Sequence, residues 1–381
     1  MPVPLYQCLI FGKPTLQQFE ALNATIMKSM EDFGLKLGDH FTITDGYGDH
    51  FVETTPAVAL FFGAPGATFP EHANLLRLSI PVIPLVSHLH NVSAELPECL
   101  WPINALALNT GDSNLVKPAG SALQCLGLLP AQRRVFVSYR RSDSRDAAVQ
   151  LFEELSARQF DVFLDTHSVG VAKNFQAMLW HRLCDSDVVV MLDTPGFFDS
   201  RWTRAEWGRA TDKHISMLQV LWPGHKPSRF SALATPLQLD EDDLVDKCFT
   251  DAVVEAIALR VEVLRSKSVA VRHANIAGHL RSSIERLGGK VEGVGQRRTI
   301  LLNMPSGAPL VAHPSVGVPT AVTLHEAVRE GDERPAVVVY DHVGLSDDWM
   351  THLEWLGTNF KPVKWIRSRQ AGWDLSELEG I

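Results

Sequence analysis

"DVFLDTHSVGVAKNFQAMLWHRLCDSDVVVMLD", residues 161–193, decides the fold. It opens on a short apolar run, crosses a polar loop containing Gly170, passes through a stretch with apolar residues at helical spacing, and returns to the apolar run "DVVVMLD". Runs that are apolar at successive positions, rather than at alternate ones, predict strands covered on both faces. A helix between two such strands is the connection that parallel neighbours require.

The same alternation extends outward. Upstream, "RVFVSY" (134–139) reads as a strand and "SRDAAVQLFEELSARQ" (144–159) as an amphipathic helix. Downstream come a helix holding "SRWTRAEWGRA" (200–210), the strand "ISMLQVLW" (215–222) and a long helix within 242–267. Repeated strand–helix units predict a doubly wound parallel sheet with helices on both faces. Residues 1–128 alternate in the same way: strands at 5–12, 57–66 and 80–87, and a helix at 15–34 closed by Gly34. From 270 a third set begins, with a helix at 276–289 stopped by Gly288 and Gly289, strands at 298–304, 336–341 and 362–366, and a helix at 346–360 with Ser346 as its N-cap. The expected class is α/β, a central doubly wound parallel sheet (133–267) flanked by two further small α/β domains (1–128 and 270–381).

Composition narrows the function. Of 381 residues, 45% are hydrophobic and 21% charged, which is ordinary globular composition, and the formal net charge is −9. With no Lys/Arg-rich run, nucleic acid is not expected as a partner. The five cysteines are scattered without a CxxC pair, which argues against a disulfide framework and against a zinc site. No metal is expected. The start, "MPVPLYQCLIFGKPT", has neither the basic region nor the apolar core of a signal peptide, and no run of eighteen apolar residues occurs. A cytoplasmic protein with no membrane partner is the expectation.

Several stretches invite a chemical reading. Trp202 and Glu206 stand four apart, one turn of the same helix face. Ser138, Tyr139, Arg140 and Arg141 leave the first strand of the central sheet at its carboxyl end, where open α/β sheets bind ligands. Either arginine suits a diphosphate. The loop after the next strand carries Asp165, His167 and Lys173; His167 reads as an ordinary loop histidine. "FGKPT" lacks the spacing of a phosphate loop, and "GAPGATFP" reads as a plain turn. His88 and His90 of "SHLH" have no third ligand. Asp341, Asp347 and Asp348, after the strand "AVVVYD", disfavour a phosphate there.

Three stretches, taken in order, carry a resemblance: "VFVSYRRSDS" (135–144), the quoted 161–193, and "FFDSRWTRAEWGRA" (197–210). Together they resemble a TIR domain of the bacterial NAD-cleaving type, over about 133–267. The resemblance implies that Glu206, in the Trp-x-x-x-Glu motif, is the catalytic carboxylate for cleaving the nicotinamide–ribose bond of NAD+. It implies substrate-binding roles for Trp202, Ser138, Tyr139, Arg140, Arg141 and Asp165. NAD+ would be a substrate, and no cofactor is expected. Such a cleavage passes through an oxocarbenium-like ribosyl cation and releases neutral nicotinamide, so one carboxylate suffices without a strong acid. Water attack gives ADP-ribose, and attack by an adenine nitrogen gives a cyclic product. The resemblance further implies activation by self-association, a role in bacterial anti-phage immunity, and a small-molecule or protein trigger on a flanking domain. The sequence departs from many relatives at "VGVAKN", where they carry a proline or acidic-glycine turn. Two other readings stand beside this one: a non-catalytic scaffold acting by TIR–TIR contacts, and a nucleotide or sugar-nucleotide sensor.

Overall fold

The computed structural model describes residues 4–48, 51–108, 112–164, 175–199, 201–330, 334–360 and 363–379. They fall into two compact units, Met1–Ala131 and Gln132–Ile381.

In the first unit, strands β1 (Tyr6–Gly12), β2 (Phe41–Asp45), β3 (Ala57–Phe62), β4 (Val82–Val86) and β5 (Leu106–Ala107) alternate with helices α1 (Leu16–Asp32), α2 (His72–Arg77), α3 (Val92–Glu95) and α4 (Val116–Cys125). The sheet is parallel throughout, in the order β2-β1-β3-β4-β5. Every residue of β3 and β4 is buried, as their unbroken apolar runs require. Thr15 and Gln18 close a capping box at the start of α1.

The second unit begins with a sheet of the same plan. Its strands are β6 (Arg134–Ser138), β7 (Asp161–Leu164), β8 (Val188–Asp193), β9 (Ser216–Leu221) and β10 (Thr235–Gln238), and its helices are α5 (Arg141–Ala157), α6 (Phe175–Asp185) and α7 (Arg201–Asp212). All pairs are parallel, in the order β10-β9-β8-β6-β7. The doubly wound α/β class expected for this region is what forms. Strand β10 has no apolar run to announce it; with Pro236 and mostly exposed residues it is an edge strand.

A two-residue turn at Asp246 and Lys247, both at positive φ, joins the hairpin β11 (Leu244–Val245) and β12 (Cys248–Phe249). Helix α8 (Asp251–Leu287) then runs unbroken for 37 residues, about 55 Å at 1.5 Å per residue. The sequence suggests two helices here, but "SVAVRHAN" (268–275) contains neither glycine nor proline to stop the first one. Its first half packs Val253, Ile257 and Val261 into the core of the second sheet. Its second half packs Ile276, Leu280 and Ile284 into the core of the third. Gly288, at φ +90°, ends it in the left-handed conformation.

The third sheet comprises β13 (Lys290–Val294), β14 (Ile300–Asn303), β15 (Pro309–Ser315), β16 (Ala336–Tyr340) and β17 (Val363–Arg367), in sequential order. The first three are antiparallel and the last three parallel. Helices α9 (Ala321–Glu330), α10 (Asp347–Asn359) and α11 (Ala371–Glu379) complete it, and the Ser346 side chain caps α10 by accepting from Trp349 N–H. Strands β13 and β15 escape a sequence reading because Gly293 breaks the first pattern and His313 and Pro314 the second.

Buried arginines on α8 hold it to the second sheet. Arg265 donates to Asp187 Oδ2 at 3.0 Å and to the Gln132 carbonyl at 3.0 Å. Arg272 donates to the carbonyls of Ser186 and Cys184, each at 2.7 Å.

Candidate active site at the carboxyl ends of the second sheet

The order of the second sheet reverses between β6 and β8, so the connections leave these two strands in opposite directions, and the carboxyl ends at such a reversal are where open α/β sheets bind ligands. Ser138 ends β6 and is 3% exposed; Tyr139, which follows it, is also buried. Glu206 sits on α7, and although charged it is only 6% exposed. Ser138 donates its hydroxyl to Glu206 Oε2 at 2.6 Å, across 68 residues of sequence. A buried carboxylate needs such donors, since removing it from water without them costs far more than one hydrogen bond returns. The donor is a strand-end side chain of β6, and the carboxylate is delivered by α7, the helix that follows β8. Thr203 Oγ1 donates to the Phe197 carbonyl at 2.6 Å, which fixes the first turn of α7 against the segment leaving β8.

The rim is built around Arg140. Its guanidinium lies against the backbone of Gly196, where a Cβ would come within 1.6 Å of Nη1. Only glycine leaves that arginine its place. Arg140 Nη1 is 3.3 Å from Asp143 Oδ2 and 3.8 Å from Asp199 Oδ2, and its side chain remains 37% exposed. Thr194, just past β8, donates to Asp143 Oδ2 at 2.9 Å. Burial pushes the Asp143 carboxyl up, but hydrogen bonds from Ser142 and Thr194 and the charge of Arg140 outweigh it and hold it below the usual carboxylate range. Arg141 begins α5 beside it and is exposed.

Behind the rim, Asp193 closes β8 with no exposed surface. Gln219 on β9 donates to its Oδ2 at 2.5 Å and lies 2.7 Å from Ser231 Oγ, while His225 Nε2 stands 3.4 Å from Oδ1. Burial pushes the Asp193 carboxyl above its ordinary value in spite of these partners.

Of the residues singled out in sequence, the structure therefore brings Ser138, Tyr139 and Glu206 together in the buried wall at these carboxyl ends and places Arg140 at the rim. Asp165, His167 and Lys173 lie outside the described residues. The backbone of Trp202 is placed one turn before Glu206 on α7, and its side chain lies outside the described set. Sequence reasoning missed Asp143, Asp193 and Gly196. Asp193 had a usable signal, as the single carboxylate terminating an apolar strand; Gly196 had none, because its partner is remote. Among the described residues, no group of three or more His, Cys, Asp or Glu is arranged to hold a metal, and no helix is long and apolar enough to cross a membrane.

A model of the TIR domain family matches residues 135–249, from β6 through β12. These residues are a TIR domain. The boundaries coincide with the sheet that carries Ser138 and Glu206. A search of curated proteins finds no match to the chain. Among solved structures, the chain is similar to a protein described as a two-component system response regulator/ggdef domain protein, at 15% identity and a TM-score of 0.29, covering 70% of this chain and 98% of that one. It is also similar to the LacI family transcriptional regulator CCPA from Weissella paramesenteroides with bound glucose, at 10% identity and a TM-score of 0.18, covering 68% of this chain and 91% of that one. Scores this low carry no argument about function. TIR domains commonly associate with one another, and some cleave NAD+; the site must speak for this one.

Proposed function

We propose that the TIR domain cleaves NAD+ at the nicotinamide–ribose bond, with Glu206 as the carboxylate that stabilises the developing ribosyl cation. One observation carries the reading: a glutamate 6% exposed, held by a strand-end serine at 2.6 Å, at the point where the sheet order reverses. A carboxylate so placed is oriented before substrate arrives, and its charge acts in a medium less screening than water. The bond between ribose C1′ and the nicotinamide nitrogen breaks, and its electron pair leaves with neutral nicotinamide. Water then bonds to C1′ and loses a proton, giving ADP-ribose. Attack by an adenine nitrogen in place of water gives the cyclic alternative. Arg140 at the rim suits the diphosphate, with Tyr139 beside it; substrate-binding roles for Trp202, Arg141 and Asp165 rest on the family resemblance alone. The same reading places the activity in the cytoplasm, switched on by self-association of TIR domains in anti-phage immunity; its support there is the family resemblance alone.

The test is nicotinamide release from NAD+ by the full chain at high concentration, beside Glu206→Gln. Release that falls about a hundredfold or more in the variant is the expected result. Equal release in both overturns the assignment of Glu206. A wild-type chain that associates but releases nothing favours the scaffold.

A further inference from the structure

A second cleft lies elsewhere in Gln132–Ile381, along one face of α8. Arg272, His279 and Arg286 recur every seven residues, two helical turns, so the face runs for about 21 Å. Facing it are the carboxyl ends of the parallel strands of the third sheet: Ser315 ends β15, Asp341 follows β16, and Ser368 follows β17. This is where open α/β sheets receive ligands. The inner part is a cavity of about 100 Å³, and it adjoins a wider, more open part of about 780 Å³. Lys213, the residue after α7, closes the cleft from the TIR side.

Charge gives the cleft its character. Lys213, Arg272, Arg286 and Arg369 line it against two carboxylates, Asp212 and Asp341. Asp341 is already engaged: Lys213 Nζ donates to its Oδ2 at 2.7 Å, and Arg369 Nε is 3.5 Å from Oδ1. The acidic strand end that disfavours a phosphate on sequence grounds is thus neutralised in the fold. Arg272, 7% exposed, spends its hydrogen bonds on backbone carbonyls rather than on a carboxylate. Burial pulls Lys213 below its ordinary value even with Asp341 against it. Both cations stand to gain from added negative charge.

An independent feature points to a ligand. Ser368 lines the cleft, is 1% exposed, and its Oγ has no hydrogen-bond partner among the described residues. Buried hydroxyls are almost always partnered, and an orphan beside a cleft is a group waiting for an acceptor or donor. Ser368 and Arg369 form the turn that leads into α11, whose first backbone N–H groups have no partner within the helix.

We propose that this cleft binds a small molecule carrying two or more phosphate groups. Arg369, Lys213 and the Ser368 hydroxyl take one phosphate at the strand ends, and Arg286 takes negative charge further along α8. Among the described residues, no aromatic ring other than those of histidines lines the cleft, so the phosphate chain is the part recognised, not a base. The site is separate from the Ser138–Glu206 pair, and occupancy does not depend on NAD+ cleavage.

Calorimetric titration of the full chain with inorganic tripolyphosphate, pyrophosphate and citrate tests this, in the wild type and in Arg369→Glu, Ser368→Ala and Arg140→Glu. Expected are binding of both polyphosphates by the wild type, weakening by about tenfold or more in Arg369→Glu and by a few fold in Ser368→Ala, and, in Arg140→Glu, retention of the binding event that the cleft variants weaken. No binding at millimolar polyphosphate overturns the proposal, as does binding unchanged in both cleft variants. Loss confined to Arg140→Glu moves the anion to the TIR site. Citrate binding as tightly as tripolyphosphate refutes the phosphate class.

Discussion

The first sheet and the TIR sheet share one strand order, and each buries a glutamate against a serine hydroxyl near its strand ends, yet the two arrangements are assembled differently. In the first unit, Glu95 accepts from Ser87 N–H at 2.7 Å, from the Ser87 hydroxyl, and from Asn91 at 3.0 Å, all within eight residues of sequence. Burial pushes its carboxyl up, but these bonds and the charge of His88 outweigh that and keep it low. It is a local cap that satisfies the turn after β4. At the reversal point of that sheet, Gly12 packs so closely on β3 that a Cβ would lie 2.0 Å from the Phe62 carbonyl oxygen, and Gly63 approaches the Leu85 carbonyl. In the TIR sheet Glu206 meets Ser138 from a distant helix. Glu95 is held by its neighbours in sequence, whereas Glu206 is held by a residue from another element.

The contrast can be broken in order of expected effect. Gly12→Ala places a side chain at φ +84° against a carbonyl, and should cost about 4 kcal/mol or more, read as a collapse of the thermal melt of the first unit. Glu206→Gln should lower nicotinamide release by about 10²–10³-fold while leaving the melt nearly unmoved; Glu95→Gln should do the reverse, costing about 1–2 kcal/mol of stability with turnover unchanged. If both variants behave alike in activity, the distinction between cap and site fails.

The Lys213–Asp341 contact yields a pH dependence. Burial pushes the Asp341 carboxyl up, but Lys213 and Arg369 hold it below its usual value of 3.8. A carboxyl lower in the folded than in the unfolded chain contributes stability above the unfolded value and loses it as pH falls through the folded one. Acid titration of the 132–381 unit should therefore show a loss below about pH 4 that Asp341→Asn, costing about 2 kcal/mol at neutral pH, removes. The smallest effect belongs to Arg77→Ala. Its pair with Glu53 is about 60% exposed on both sides, and the melt should move by less than about 0.5 kcal/mol.

Much of this was legible before any coordinates. Apolar runs such as "AVALFF" and "VVVMLD" determine buried parallel strands because no other element covers both faces of so short a stretch. Glu206 was legible as a helical residue one turn past Trp202, within a family motif. Its burial and its partner were not, since 68 residues separate it from Ser138 and only the closing of the sheet brings them together. The charge balance of the cleft along α8 was not legible for the same reason. Asp341, seen in sequence as one of three acids disfavouring a phosphate, meets Lys213 and Arg369 only when α8 carries the third sheet onto the TIR domain. Periodicity and punctuation are local and survive in one dimension, so the sequence by itself determined the buried apolar strands, most of the helices and the sheet class of the TIR region. Which charges are neutralised, which glycine cradles Arg140 and which hydroxyl is left without a partner are sums over remote neighbours. Only the tertiary structure decided them.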